Sequence, residues 1–126
     1  KNNFNICGAS NIYDIESCSR EELISSYKNS LAYVSILIEP ENYYSLTLLD
    51  ACDAELPLIC LEHPMLTDKF RKHVLTFSNF QELESNINQL RNDSSKWKHY
   101  SKKSGSLLRT YFPKSVFIKT WNELIK

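Results

Sequence analysis

With 126 residues the chain is long enough for one domain with its own core and too short for two. Hydrophobic residues make up 42% and charged residues 24%, an ordinary globular balance, and no run reaches the roughly 18 apolar residues of a membrane span. The formal charge is zero but unevenly placed. Residues 1–63 carry three basic and ten acidic side chains, 3 − 10 = −7, and residues 64–126 carry twelve and five, 12 − 5 = +7. The start, Lys1-Asn-Asn-Phe4, lacks the apolar core of a signal peptide, so the expectation is a soluble, cytoplasmic domain.

Of the four cysteines (Cys7, Cys18, Cys52, Cys60), no two form a Cys-x-x-Cys pair, and His63, His73 and His99 are scattered. Reduced, mostly buried thiols and no bound metal are expected.

In chain order, Phe4-Asn-Ile-Cys7 before Gly8 reads as a strand ending in a glycine turn, and Ile12-Tyr-Asp-Ile15 as an edge strand. Ser19-Arg-Glu-Glu22 is a capping box, in which a hydroxyl and a third-position carboxylate satisfy orphan amides at a helix start. Leu23, Ile24, Tyr27 and Leu31 follow at helical spacing. Ala32-Tyr-Val-Ser-Ile-Leu-Ile38 is apolar without alternation, the pattern of a central parallel strand buried on both faces.

An acidic, aromatic turn then leads into a short helix carrying Asp50, and Pro57 introduces a second buried strand, Leu58-Ile-Cys-Leu61. A short helix or turn at residues 66–73 precedes the strand Val74-Leu-Thr-Phe77. Ser78-Asn-Phe-Gln81 is another capping-box pattern, opening a helix with Phe80, Leu83, Ile87 and Leu90 on one face. From Ser94, Trp97, Tyr100, Leu107, Leu108 and Tyr111 form an apolar stripe, with Gly105 as a weak point and Lys96, Lys98, Lys102 and Lys103 off the stripe. Phe117, Trp121, Leu124 and Ile125 mark a terminal amphipathic helix.

This alternation predicts an α/β fold: a Rossmann-like, doubly wound, mostly parallel sheet of four to five strands flanked by helices. The chain opens on a strand, as if an earlier β-α unit were missing. The aromatics near the lysines fall on the apolar stripe, which argues against a nucleic-acid surface. The clustered positive charge keeps peripheral association with an acidic membrane, at its inner face, as an expectation.

Asn42-Tyr-Tyr-Ser45-Leu-Thr-Leu-Leu-Asp50-Ala-Cys-Asp-Ala-Glu55-Leu-Pro57-Leu-Ile59 resembles, in register, the donor-site segment of GT-B glycosyltransferases, in the retaining group called family-4-like. There a glutamate, a glycine-flanked aromatic and a short helix with a second acid eight positions on precede glycine, a variable residue, proline and a strand. The helix opened by Ser19 and the tail through Phe117 and Trp121 are also similar to the family. Asn42 stands at the first acidic position, beside Glu41; Tyr43 and Ser45 replace the turn glycines, and Glu55 replaces the glycine before the proline.

The resemblance implies half of a GT-B fold: a nucleotide-sugar donor-binding domain, with a UDP- or GDP-sugar as substrate and no tightly bound cofactor or metal. The acceptor-binding N-terminal domain would lie outside this chain, making it part of a longer enzyme. By the resemblance, Asp50 accepts hydrogen bonds from ribose hydroxyls, and Glu41 or Asn42 contacts the transferred sugar. Tyr44, Ser45, Leu46 and Thr47 offer backbone amides to the diphosphate at a helix start, and Gly8 lets a nucleotide approach the backbone. No catalytic residue is singled out. The altered acidic motif also fits a degenerate, non-catalytic α/β module for protein interaction or scaffolding.

Overall fold

The computed structural model describes residues 19–36 and 45–125. In order these form helix α1 (Arg20–Lys28), strand β1 (Tyr33–Ser35), helix α2 (Leu46–Asp53), strand β2 (Leu58–Leu61), helix α3 (Asp68–Arg71), strand β3 (Leu75–Phe77) and helices α4 (Phe80–Asn92), α5 (Ser94–Tyr111) and α6 (Lys114–Leu124). The strands make a three-stranded parallel sheet in the order β1-β2-β3, with Val34 opposite Ile59 and Cys60 opposite Thr76. The α/β class and the parallel sheet are as read from the sequence. The further strands expected at residues 4–7 and 12–15 lie outside the described residues.

β2 is the middle strand, and its alternating side chains divide the core. Leu58 and Cys60 join Tyr27, Leu48, Cys52, Phe70 and Leu107 on one face, while Ile59 meets Phe77, Leu83, Ile87 and Leu90 on the other. Burying each such Leu, Ile or Phe stabilises the fold by about 1.5–3 kcal/mol. Cys52 and Cys60 are both buried, as expected.

Helix α5 closes the amino-terminal edge of the sheet. The Trp97 indole donates to the Leu31 carbonyl at 2.8 Å, the Ser101 hydroxyl to the Glu55 carbonyl at 2.6 Å, and His73 Nδ1 to the Lys103 carbonyl at 3.2 Å. Leu31, Glu55 and His73 each stand two or three residues before a strand, so the helix meets β1, β2 and β3 in sheet order. Ser101, Ser104, Gly105 and Leu107 form its buried face, and the three small ones let the helix lie close. Gly105 does not interrupt it.

Four sequence expectations are corrected. Among the described residues the strand expected over residues 32–38 covers Tyr33–Ser35, and Ile36 is outside it and 69% exposed, while residues 37 and 38 are not among those described. Helix α4 is capped by Asn79, not Ser78, since Asn79 accepts the Glu82 amide at 2.9 Å while the Glu82 carboxylate takes the Ser78 amide at 2.7 Å. Phe80 therefore turns outward, 65% exposed. Ile24, expected on the apolar face of α1, is also exposed. The capping box at Ser19 and Glu22 is present in both directions.

Candidate functional site

With α5 across the lower edge, the open end of the sheet is the carboxyl one. β1 leaves it at Ile36, β2 at Glu62 and β3 at Ser78, and the N-termini of α2 and α4 belong to the segments that leave it. In parallel α/β sheets this is where ligands are held.

The start of α2 is the most elaborated feature there. Ser45 is the N-cap, accepting the Leu48 amide at 3.2 Å, and its carbonyl accepts the Leu49 amide at 3.1 Å. Helix geometry leaves the amides of Leu46 and Thr47 pointing outward. The turn is pinned from below: the Tyr33 hydroxyl lies 2.9 Å from Thr47 Oγ1, and the Tyr27 hydroxyl donates to the Thr47 carbonyl at 3.3 Å. Thr47 Oγ1 also lies 3.2 Å from Ser45 Oγ, so one hydroxyl chain fixes the cap. No acidic side chain sits in the first turn, leaving the positive end of the helix dipole uncompensated and favourable to an anion.

Asp50 lies one turn further on. Arg20, at the start of α1, reaches its two carboxylate oxygens at 3.3 and 3.4 Å. The arginine side chain is 67% exposed, so the pair is a solvent-screened contact of about 0–1 kcal/mol that a ligand can displace. Leu46 is 79% exposed, and its side chain packs on nothing in the core. Gly8, Glu41, Asn42 and Tyr44 lie outside the described residues.

A second tie fixes the exit of β2. Arg71 in α3 donates to Glu62 Oε1 at 2.6 and 3.1 Å, to the His63 carbonyl at 2.8 Å and to the Leu66 carbonyl. These bonds to Arg71 hold the Glu62 carboxyl below the usual carboxylate range, with a further contribution from Thr76. The loop after β2 is thereby strapped back onto α3.

Sequence reading missed Arg20, Tyr27, Tyr33 and Arg71 as parts of this edge. Each partners a residue that no local spacing links to it. Arg20 and Asp50, for instance, are 30 residues apart. Ile36, Leu46, Met65 and Phe80, on the segments that leave this edge, are exposed. Among the described residues no group of three or more His, Cys, Asp or Glu is placed to hold a metal, and no helix is long and apolar enough to cross a membrane. No protein-family signature, curated sequence or solved structure matches this chain.

Proposed function

We propose that this chain is the donor-binding module of a glycosyltransferase: a Rossmann-like, doubly wound unit that holds a nucleotide-sugar at the carboxyl ends of its strands. The observation that supports it most is the start of α2, a helix N-terminus free of acidic side chains and pinned by two tyrosines, with a carboxylate one turn behind. In this reading the amides of Leu46 and Thr47 meet the diphosphate, and Asp50 turns from Arg20 to the ribose hydroxyls. Charge that develops on the diphosphate as the sugar leaves is met by fixed dipoles that need no reorganisation. Glu41 or Asn42 is assigned to the transferred sugar, and transfer is with retention. The acceptor is presented by another domain.

The Asp50–Arg20 pair favours one other reading, in which the carboxylate ties α1 to α2 in a non-catalytic interaction module. Calorimetric titration with UDP, GDP and their sugars separates the two. The donor reading expects weak binding that Asp50→Ala reduces by about tenfold or more, the scale of a hydrogen bond to a charged group. If none of these ligands binds at millimolar concentration and Asp50→Ala alters only stability, the donor reading is abandoned.

A further inference from the structure

Helix α6 is the one described helix of more than two turns that buries no residue. Phe117, Ile118, Trp121, Leu124 and Ile125 are all exposed. At 3.6 residues per turn these five fall within an arc of about 120°, while Ser115, Lys119, Asn122 and Glu123, with Val116 as the one exposed apolar side chain among them, occupy the other side. The Phe117 and Trp121 rings stack at 6.3 Å with an interplanar angle of 12°. An isolated helix of 11 residues is marginal in water, so an apolar stripe of this kind calls for an external surface.

Charge identifies that surface. Residues 64–126 carry the +7 excess. Part of it gathers where α6 begins: the Lys69 ammonium lies 4.5 Å from the ring centroid of Tyr111, the last residue of α5. Lys69 of α3, Lys72 at its C-cap and Lys103 of α5 all stand near His73, with the exposed Asp68 as the acid of α3. Phe112, half exposed, leads from α5 to α6, which adds Lys114 and Lys119 against the single acid Glu123.

We propose that α6 lies in the surface of an anionic bilayer, with Phe117, Ile118, Trp121, Leu124 and Ile125 at the headgroup–acyl boundary and the α3, α5 and α6 lysines against the lipid headgroups. A stripe with Phe and Trp at its centre, entered at Lys114 and backed by Lys119 on the polar side, has the composition of an interfacial helix. Lysine stems lie along apolar surface while their charges reach the headgroups, and Trp sits well where one side is apolar and the other wet. The inference is independent of the donor site.

The test is co-sedimentation of the full chain with vesicles of phosphatidylcholine alone and with phosphatidylglycerol added. Binding is expected only to the anionic vesicles and is weakened by salt. Phe117→Glu with Trp121→Glu abolishes it, and replacing Lys69, Lys72 and Lys103 by Gln lowers it about fivefold each, about 100-fold together. The substituted α6 side chains are exposed, so the double variant should melt with the parent. Should it not, the Trp fluorescence of the parent decides: a blue shift on anionic vesicles supports insertion. No binding to anionic vesicles, undiminished binding by the folded double variant, or an α6-dependent dimer without vesicle binding overturns the proposal.

Discussion

Glu55 follows helix α2 in the left-handed backbone region, at φ 55°. The surrounding hydrogen bonds explain why. Its amide bonds the Cys52 carbonyl at 3.0 Å, and the Leu56 amide bonds the Ala51 carbonyl at 3.0 Å. This is the paired pattern that ends helices and is normally built on glycine. A side chain there is costly, by about 1–2 kcal/mol, because Cβ crowds the following carbonyl. Glu55→Gly should therefore raise stability by about 1 kcal/mol in urea denaturation, since glycine's greater unfolded freedom offsets part of the gain. A lower midpoint would mean that the contact of the Glu55 side chain with α5 outweighs the relief. Two other residues set the acid response. Burial, with Lys103, Lys69 and Lys72 nearby, holds His73 below its ordinary 6.5. The unfolded chain takes up that proton first, so stability falls as pH drops below about 6.5. The Glu62 carboxyl is held below 4.5, chiefly by Arg71. Its contribution is present above the unfolded value and is lost only as pH falls below 4.5 through the lower folded value. Melting curves across pH should show two windows. His73→Gln should flatten the upper one, and Glu62→Gln the lower, each by about 1 kcal/mol or less at these partly exposed positions.

Helix α5 owes its position to small residues. An added Cβ on Gly105 would meet Glu55 Cγ and Oε1 at 3.2 Å and Arg109 Nη1 at 3.3 Å, atoms of two exposed, flexible side chains. Those side chains can shift, so Gly105→Ala should stabilise by up to about 1 kcal/mol through helix propensity. Ser101→Ala, in contrast, removes the donor to the Glu55 carbonyl and should cost about 1–2 kcal/mol. Both are read from chemical denaturation at fixed pH. The sequence marked this helix by its stripe of Trp97, Tyr100, Leu107, Leu108 and Tyr111, all of which pack on the core, while the buried Ser101, Ser104 and Gly105 are residues that hydrophobic periodicity passes over. The start of α4 shows a related limit. Ser78-x-x-Gln81 and Asn79-x-x-Glu82 are overlapping patterns, and the one with the carboxylate, which also complements the helix dipole, prevails. The first capping box had no competitor and was legible in full. Strand identity was likewise legible: the apolar runs that open at Ala32, Leu58 and Val74 hold the three strands of the described sheet.

Across the described residues, the layers that make the core end at Tyr111, and α6 buries none of its side chains in them. Ending the chain at Phe112 should leave the urea midpoint unchanged while removing vesicle binding, which separates stability from surface association in one measurement. The candidate ligand edge is legible only in part for the same topological reason that made the class legible. Alternating strands and helices announce a parallel sheet and hence a carboxyl edge, but the partners that meet there, Arg20 with Asp50 and Tyr33 with Thr47, are brought together by the fold and not by spacing.

The bonds from α5 to the segments before the three strands span 66, 46 and 30 residues. Such separations place this helix among the last pieces to be secured, because loop closure must precede the reward of contact. During synthesis the amino-terminal edge of the sheet stays open until Trp97, Ser101 and Lys103 have left the ribosome. A chain ending at Asn92 should thus remain protease-sensitive, with Leu58 lacking its cover from Leu107, and acquire resistance only once the lysine-rich helix is present.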